Sequence, residues 1–128
     1  MKLLLDTHIW LWILKEPQRL GKRLHTELLN PNNELWLSPI SVWEALVLHR
    51  KGRIGLHQNL QSWCSEATAG FHEAPLTYEV AFAAESLSMH DDPADRFLAG
   101  TAKVLGLTLV TADQKLLGLG DIATLANR

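Results

Sequence analysis

Three short apolar segments that suit buried strands constrain this fold more than any other feature of the sequence. The segments KLLLD (residues 2–6), ELWLS (34–38) and LTLVTAD (107–113) are largely apolar and do not alternate strictly between apolar and polar residues. Strands of this kind are typically buried on both faces, as in parallel sheets that are covered by helices. Weaker strand patterns lie at residues 71–75 and 122–125.

Helical patterns occupy the chain between these segments. We predict helices over residues 8–14, 17–29, 40–51, 59–68, 78–88 and 93–105. Ser38 before Pro39, and Asp92 before Pro93, each place a good N-cap ahead of a proline at the first helical position. Because strands and helices alternate, we predict a three-layer α/β/α sandwich with a central parallel sheet. The length fits a single domain spanning residues 1–128.

The composition predicts a folded protein of a reducing, cytoplasmic compartment. Hydrophobic residues make up 47% of the chain and charged residues 20%, which argues against extensive disorder. Cys64 is the single cysteine, so no internal disulfide forms, and no Cys/His spacing matches a zinc site. Asp6 and His8 interrupt the apolar N-terminal run, and no cleavage site follows it. We therefore predict neither a signal peptide nor a membrane span.

Four acidic residues are predicted to meet at the carboxyl edge of the sheet. Asp6 and Asp113 each end a predicted strand, where ligands and reacting groups collect in parallel sheets. Glu44 lies in the helix after ELWLS, and Asp95 lies at the third position of the helix over 93–105. Asp6 and Glu44 have apolar neighbours and no obvious basic partner. A carboxylate in such surroundings is costly unless it is paired or bound to a cation.

Clustered carboxylates of this kind indicate a divalent cation. They repel one another and raise each other's pKa unless a positive charge relieves them. Mg²⁺ takes oxygen ligands and is usually held by few carboxylates together with water and substrate phosphate. This arrangement suits phosphodiester hydrolysis, because the metal polarises the phosphoryl group and activates water, and no covalent nucleophile is needed.

The acids of HDDPADR (residues 90–96) also have a simpler structural explanation. A carboxylate near a helix N-terminus gains about 0.3–1 kcal/mol from the helix dipole. Asp92 and Asp95 have the spacing of a capping box. The sequence leaves open whether Asp92 is only a cap or also belongs to a site.

Four motifs in order, LLLDTHIWLW, SPISVWEA, HDDPADRFLAGTA and LTLVTAD, resemble those of the PIN-domain ribonucleases. The resemblance is closest to the VapC-type toxins of bacterial toxin–antitoxin pairs and covers nearly the whole chain. It implies that Mg²⁺ or Mn²⁺ is held by the family's acidic quartet, which falls on Asp6, Glu44, Asp95 and Asp113. It makes Asp92 and Thr111 auxiliary residues of that site and, more weakly, Thr7 and Ser41. It further implies a homodimer, an RNA substrate and a small VapB-like antitoxin partner.

Basic residues have two possible roles. Those in the first half of the chain either form solvated helix faces or hold an RNA backbone; they are Arg19, Lys22, Arg23, Arg50, Lys51 and Arg53. Arg96, next to Asp95, either contacts a substrate phosphate or pairs with a neighbouring acid.

Three alternatives to a nuclease remain open at this level. The first is a degenerate PIN domain that binds RNA or protein without cutting, although all four acids are present. The second is a phosphoacceptor receiver domain, which needs an acidic pair after the first strand where this chain has only Asp6. The third is an HD phosphohydrolase, suggested by His90 and Asp91, but the further histidines of that family cannot be placed.

Overall fold

The computed structural model describes residues 1–128 and consists of a five-stranded parallel sheet with helices on both faces. The strands are β1 (Lys2–Leu5), β2 (Glu34–Leu37), β3 (His72–Glu73), β4 (Thr108–Thr111) and β5 (Thr124–Ala126). The helices are α1 (Thr7–Lys15), α2 (Lys22–Leu29), α3 (Pro39–Arg50), α4 (Leu60–Thr68), α5 (Tyr78–Ser86), α6 (Pro93–Leu105) and α7 (Gln114–Leu117). The strand order is β3-β2-β1-β4-β5. The predicted α/β/α sandwich is confirmed.

The strands are apolar on both faces because each face of the sheet packs against its own hydrophobic core. Leu3 and Leu5 point to one face of the sheet and pack with residues of α1, α2, α3 and α4. Leu4 points to the other face and packs with residues of α6 and α7. None of the three leucines has exposed surface, because successive strand side chains alternate between two covered faces.

Both predicted N-caps are confirmed. The Ser38 hydroxyl accepts a hydrogen bond from the Ile40 backbone N–H at 3.1 Å and starts α3. The Asp92 carboxylate accepts one from the Asp95 backbone N–H at 3.0 Å and starts α6. Helix α3 directly follows β2, and α6 runs back into the parallel strand β4, so both helices begin at the carboxyl edge of the sheet.

The single helix predicted over residues 17–29 is wrong. The structure has a short 3-10 turn at Pro17–Arg19, and α2 begins only after Gly21. The Asn127 side chain accepts a hydrogen bond from the Gly21 N–H at 2.7 Å and donates one to the Arg19 carbonyl at 3.0 Å. A Cβ at Gly21 would lie 1.8 Å from the carbonyl carbon of Arg128. Contacts with the far end of the chain therefore override the local helical pattern.

The remaining differences concern short elements. The two weak strand patterns correspond to β3 and β5. Helix α7 was not predicted, because four residues are too few to show helical periodicity. None of the helices combines the length and the apolar character needed to cross a membrane.

Gly100 lets α5 and α6 pack closely, and this contact is testable. A Cβ at Gly100 would lie 2.8 Å from the Ala84 backbone nitrogen and 3.0 Å from the Val80 carbonyl oxygen, so the backbone of α5 would have to move. We expect Gly100→Ala to lower the free energy of unfolding by about 1–3 kcal/mol, despite the better helix propensity of alanine. Urea unfolding measures this, with Gly55→Ala as the control, because no atom lies within 4 Å of a Cβ at Gly55. Equal stability of the two variants would show that α5 adjusts freely.

Candidate active site

Asp6 lies where the central strand β1 passes into α1. Its backbone is extended, and one carboxylate oxygen accepts a hydrogen bond from the Thr7 N–H at 2.7 Å, which caps α1. The other oxygen accepts one from the Thr111 hydroxyl at 2.7 Å. Only 7% of Asp6 is exposed. Burial raises its pKa, and repulsion from Asp95 adds to this, while the two hydrogen bonds and the nearby His8 oppose it.

Thr111, at the end of β4, joins the ends of two adjacent strands. Its fully buried hydroxyl donates to Asp6 and accepts a hydrogen bond from the Asp113 N–H at 3.0 Å. Asp113 in turn caps α7, because its carboxylate accepts a hydrogen bond from the Lys115 N–H at 2.8 Å. The structure therefore places Asp6, Thr111 and Asp113 side by side at the carboxyl edge of the sheet.

Glu44 reaches the same edge from α3. One of its carboxylate oxygens is hydrogen-bonded by the Thr7 hydroxyl, which also lies 2.9 Å from the Ser41 hydroxyl. The single hydroxyl proton of Thr7 is donated to the carboxylate, so Ser41 donates to Thr7. Burial raises the pKa of Glu44; the bond from Thr7 opposes this shift, and repulsion from nearby aspartates adds to it. Thr7 and Ser41, the weaker candidates, thus hold an acid of the quartet.

Asp95 projects from the first turn of α6 and is half-buried. Burial raises its pKa, and repulsion from Asp92 and Asp113 adds to this, whereas contact with His90 opposes it. The Nε2 atom of His90 lies 2.8 Å from an Asp95 carboxylate oxygen. The sequence suggested His90 only as part of a metal pair with Asp91, yet the exposed Asp91 takes no part in this contact.

Arg96 is engaged with the backbone near its own helix. Its guanidinium donates hydrogen bonds to the carbonyl oxygens of Ala84, Leu87 and Met89 at 2.8–3.1 Å. It also lies 3.5 Å from the Asp91 carboxylate, and its side chain is only 16% exposed. Of the two predicted roles, pairing with a neighbouring acid describes this geometry better than a phosphate contact. Arg96 fixes the connection between α5 and α6.

The predicted RNA-binding residues are all exposed but lie on separate elements. Lys22 and Arg23 occupy the first turn of α2, and Arg50 ends α3, directly before Lys51. Arg19 forms an ion pair with Glu16 at 3.0 Å, and the others form none. The structure brings no acid of the quartet into contact with any of them.

The acids of the quartet form one electrostatic group without a Lys or Arg partner. Asp6 and Asp95 repel each other, and Glu44 is repelled by both of them. Asp95 is also repelled by Asp113. No ion pair of the chain includes Asp6, Glu44 or Asp113. Burial and mutual repulsion act in the same direction, so this edge of the sheet attracts a cation.

Comparison with known proteins agrees with this arrangement. The family model described as PIN domain matches residues 3–121. Ribonuclease VapC22 of Mycobacterium tuberculosis is 35% identical over 115 residues, which is 88% of each chain. Among solved structures, DNA-bound VapBC from Salmonella typhimurium matches with a TM-score of 0.76 at 15% identity, covering 100% of this chain and 99% of that one.

Two further complexes have the same fold. VapBC2 from Rickettsia felis, bound to a DNA fragment of its promoter, gives a TM-score of 0.73 at 19% identity, with 98% of each chain covered. FitAcB from Neisseria gonorrhoeae gives 0.65 at 25% identity, with 96% of each chain covered. The receiver-domain and HD-phosphohydrolase alternatives are thereby excluded. The family model and the VapC relative, together with the acid-lined edge of a parallel sheet, show that this chain belongs to the PIN-domain family, in its VapC group.

Proposed function

We propose that this protein is a metal-dependent endoribonuclease that hydrolyses RNA phosphodiester bonds and acts as the toxin of a toxin–antitoxin pair. The observation that carries the proposal is the group of acids at the carboxyl edge of the sheet, three of them with a raised pKa and none with a Lys or Arg partner. The relative from Mycobacterium tuberculosis, a ribonuclease by name, supports RNA as the substrate.

The donor set fits Mg²⁺ or Mn²⁺. No three carboxyl, imidazole or thiol side chains are arranged to hold one ion among themselves. Mg²⁺ does not need such a cage, because it usually keeps several waters and binds through one or two carboxylates together with phosphate. We infer that the ligands, acting directly or through water, are Asp6, Glu44, Asp95 and Asp113.

The chain's own residues position these ligands and supply no covalent nucleophile. When bound, the cation supplies charge stabilisation of the phosphoryl oxygens and activation of water. The hydroxyl groups of Thr7, Ser41 and Thr111 are buried and hydrogen-bonded, so they orient carboxylates and are not free to attack phosphorus. Asp95 is held by the start of α6 and by its contact with His90.

The expected partners are those of a toxin. The related solved complexes include VapBC assemblies, two of them bound to DNA, which supports a small VapB-like antitoxin. Exposed apolar side chains suit contact with other chains, in a homodimer or with the antitoxin; the largest exposed fractions belong to Tyr78, Phe82, Leu29 and Trp43. We also propose that the protein acts in the cytoplasm.

A non-catalytic PIN domain is the second candidate, and Asp95 and Asp92 distinguish the two. We expect Asp95→Asn to reduce cleavage of mixed single-stranded RNA with Mg²⁺ by more than about a hundredfold, since the cation contributes several kcal/mol. Asp92→Asn is the matched control, because asparagine caps a helix about as well as aspartate. It should keep most activity and lose no more than about 0.3–1 kcal/mol of stability. No cleavage by wild type with Mg²⁺, above an EDTA blank, would favour the binding module. A fully active Asp95→Asn would remove Asp95 from the site.

The metal-free protein should become more stable as the pH falls. The pKa values of Asp6, Glu44 and Asp95 are raised above their ordinary 3.8 or 4.5, so the folded state binds protons at a higher pH than the unfolded state does. Burial of these carboxylates, together with their mutual repulsion, therefore costs stability at neutral pH, and this cost disappears as the pH falls through the raised values towards the ordinary ones. Mg²⁺ should give the same relief at pH 7.

Thermal melts in EDTA over this pH range, and with Mg²⁺ added at pH 7, measure both effects. Asp6→Asn should reduce the two responses together, since it removes the most buried carboxylate of the group. A wild-type melt that does not respond to Mg²⁺ would contradict a metal site.

The basic residues are expected to hold the RNA backbone. The double variant Lys22→Glu, Arg50→Glu should weaken RNA binding for all sequences alike and flatten its salt dependence by about 0.7 in the log–log slope for each lost phosphate contact. Lys103→Glu is the control, because Lys103 is exposed near the far end of α6 from Asp95. Equal loss of binding in the control and the double variant would indicate a general charge effect and no defined surface.

A further inference from the structure

Three flat side chains lie together on α1 and on the turn that follows it: His8, Trp12 and Arg19, here called the flat cluster. The rings of His8 and Trp12 lie one helical turn apart, with centroids separated by 6.3 Å and planes at 58°. The guanidinium of Arg19 lies over the Trp12 ring at 4.6 Å from its centroid. His8 and Arg19 are exposed, and Trp12 is half-buried. A cation over the face of an indole ring is attracted by the negative face of the ring.

Arg19 is held in this position at both its side chain and its backbone. A Glu16 carboxylate oxygen accepts a hydrogen bond from the guanidinium at 3.0 Å. The Asn127 amide donates to the Arg19 carbonyl at 3.0 Å and accepts from the Gly21 N–H at 2.7 Å. These contacts hold the Arg19 guanidinium over the Trp12 ring, and the Arg19 side chain remains 55% exposed.

The flat cluster begins next to the acidic site. His8 is in the first turn of α1, two residues after Asp6. Trp12 follows one turn later, about 6 Å further along the helix axis. Consecutive nucleotides of a stacked strand are about 3.4 Å apart. An RNA strand with one phosphate at the acids therefore reaches the flat cluster within a few nucleotides.

We propose that His8, Trp12 and Arg19 form a stacking subsite for an unpaired nucleobase of the RNA, close to the phosphate at the acidic site. The subsite rests on the proposed ribonuclease function and assigns a base contact to these three residues. Bases in a duplex have no free face, whereas unpaired bases stack on aromatic rings and on arginine guanidinium planes. Arg19 therefore acts through its plane as well as through its charge.

An abasic scan tests the subsite. Binding in EDTA, which prevents metal-dependent cleavage, is measured for an unstructured RNA oligonucleotide and for versions in which a single abasic position is moved along it. Loss of one stacked base should weaken wild-type binding by about 5- to 150-fold at one position. Arg19→Lys keeps the charge and removes the plane, so it should lower affinity for the intact oligonucleotide and lose most of the difference between intact and abasic RNA. Trp12→Leu should do the same, because the ring supports the guanidinium.

The control is Arg128→Lys, the same substitution at an exposed arginine outside the flat cluster and outside the predicted RNA-binding residues, which should keep the wild-type difference. Thermal melts confirm that each variant is folded, and Arg19→Lys tests the proposal even if Trp12→Leu is unstable. The subsite is wrong, and the proposed function stands, if wild type cleaves RNA with Mg²⁺ but binds every abasic oligonucleotide as tightly as the intact one. The same conclusion follows if Arg19→Lys keeps the full difference in affinity between intact and abasic RNA. If wild type neither binds nor cleaves RNA, both are wrong.

Discussion

The hydrogen bond between Thr111 and Asp6 is the interaction on which the arrangement of this protein depends. It joins the carboxyl ends of the two central strands, β1 and β4, inside the fold. A buried carboxylate is tolerated there because both of its oxygens accept hydrogen bonds, one from Thr111 and one from the start of α1. Glu44 is tied to the same helix start through Thr7. The sheet therefore fixes the position of Asp6, and its two hydrogen-bonding neighbours Thr7 and Thr111 also contact Glu44 and Asp113.

Some of the acids at the carboxyl edge of the sheet also cap helices. Asp6, Asp92 and Asp113 each cap a helix at the carboxyl edge of the sheet. A cap gives each carboxylate a backbone N–H donor and the favourable end of a helix dipole, which offsets part of the repulsion among the acids. The offset is incomplete, because burial and the remaining repulsion from Asp95 still raise the pKa of Asp6.

Local patterns in the sequence were sufficient to predict the sheet and the positions of the acids at its edge. Asp6 and Asp113 were placed correctly because a strand followed by an acid is a local signal, and the two proline-marked helix starts are local as well. The break at Gly21 was missed because its cause, Asn127, lies 106 residues away. The His90–Asp95 contact and the backbone bonds of Arg96 were missed because loop geometry decides them, and loops leave no periodic pattern. Local sequence patterns therefore do not predict contacts that depend on specific three-dimensional geometry.

The order of the strands in the sheet also sets when the acidic edge can assemble during synthesis of the chain. β1 leaves the ribosome first, but its neighbour β4 and the Thr111 hydroxyl that orients Asp6 follow about 105 residues later. Asn127, which holds the backbone at Arg19, comes later still. A nascent chain that ends before β4 lacks both Thr111 and Asp113. Translation beyond Asn127 must therefore precede assembly of the acidic edge with all of the contacts described above.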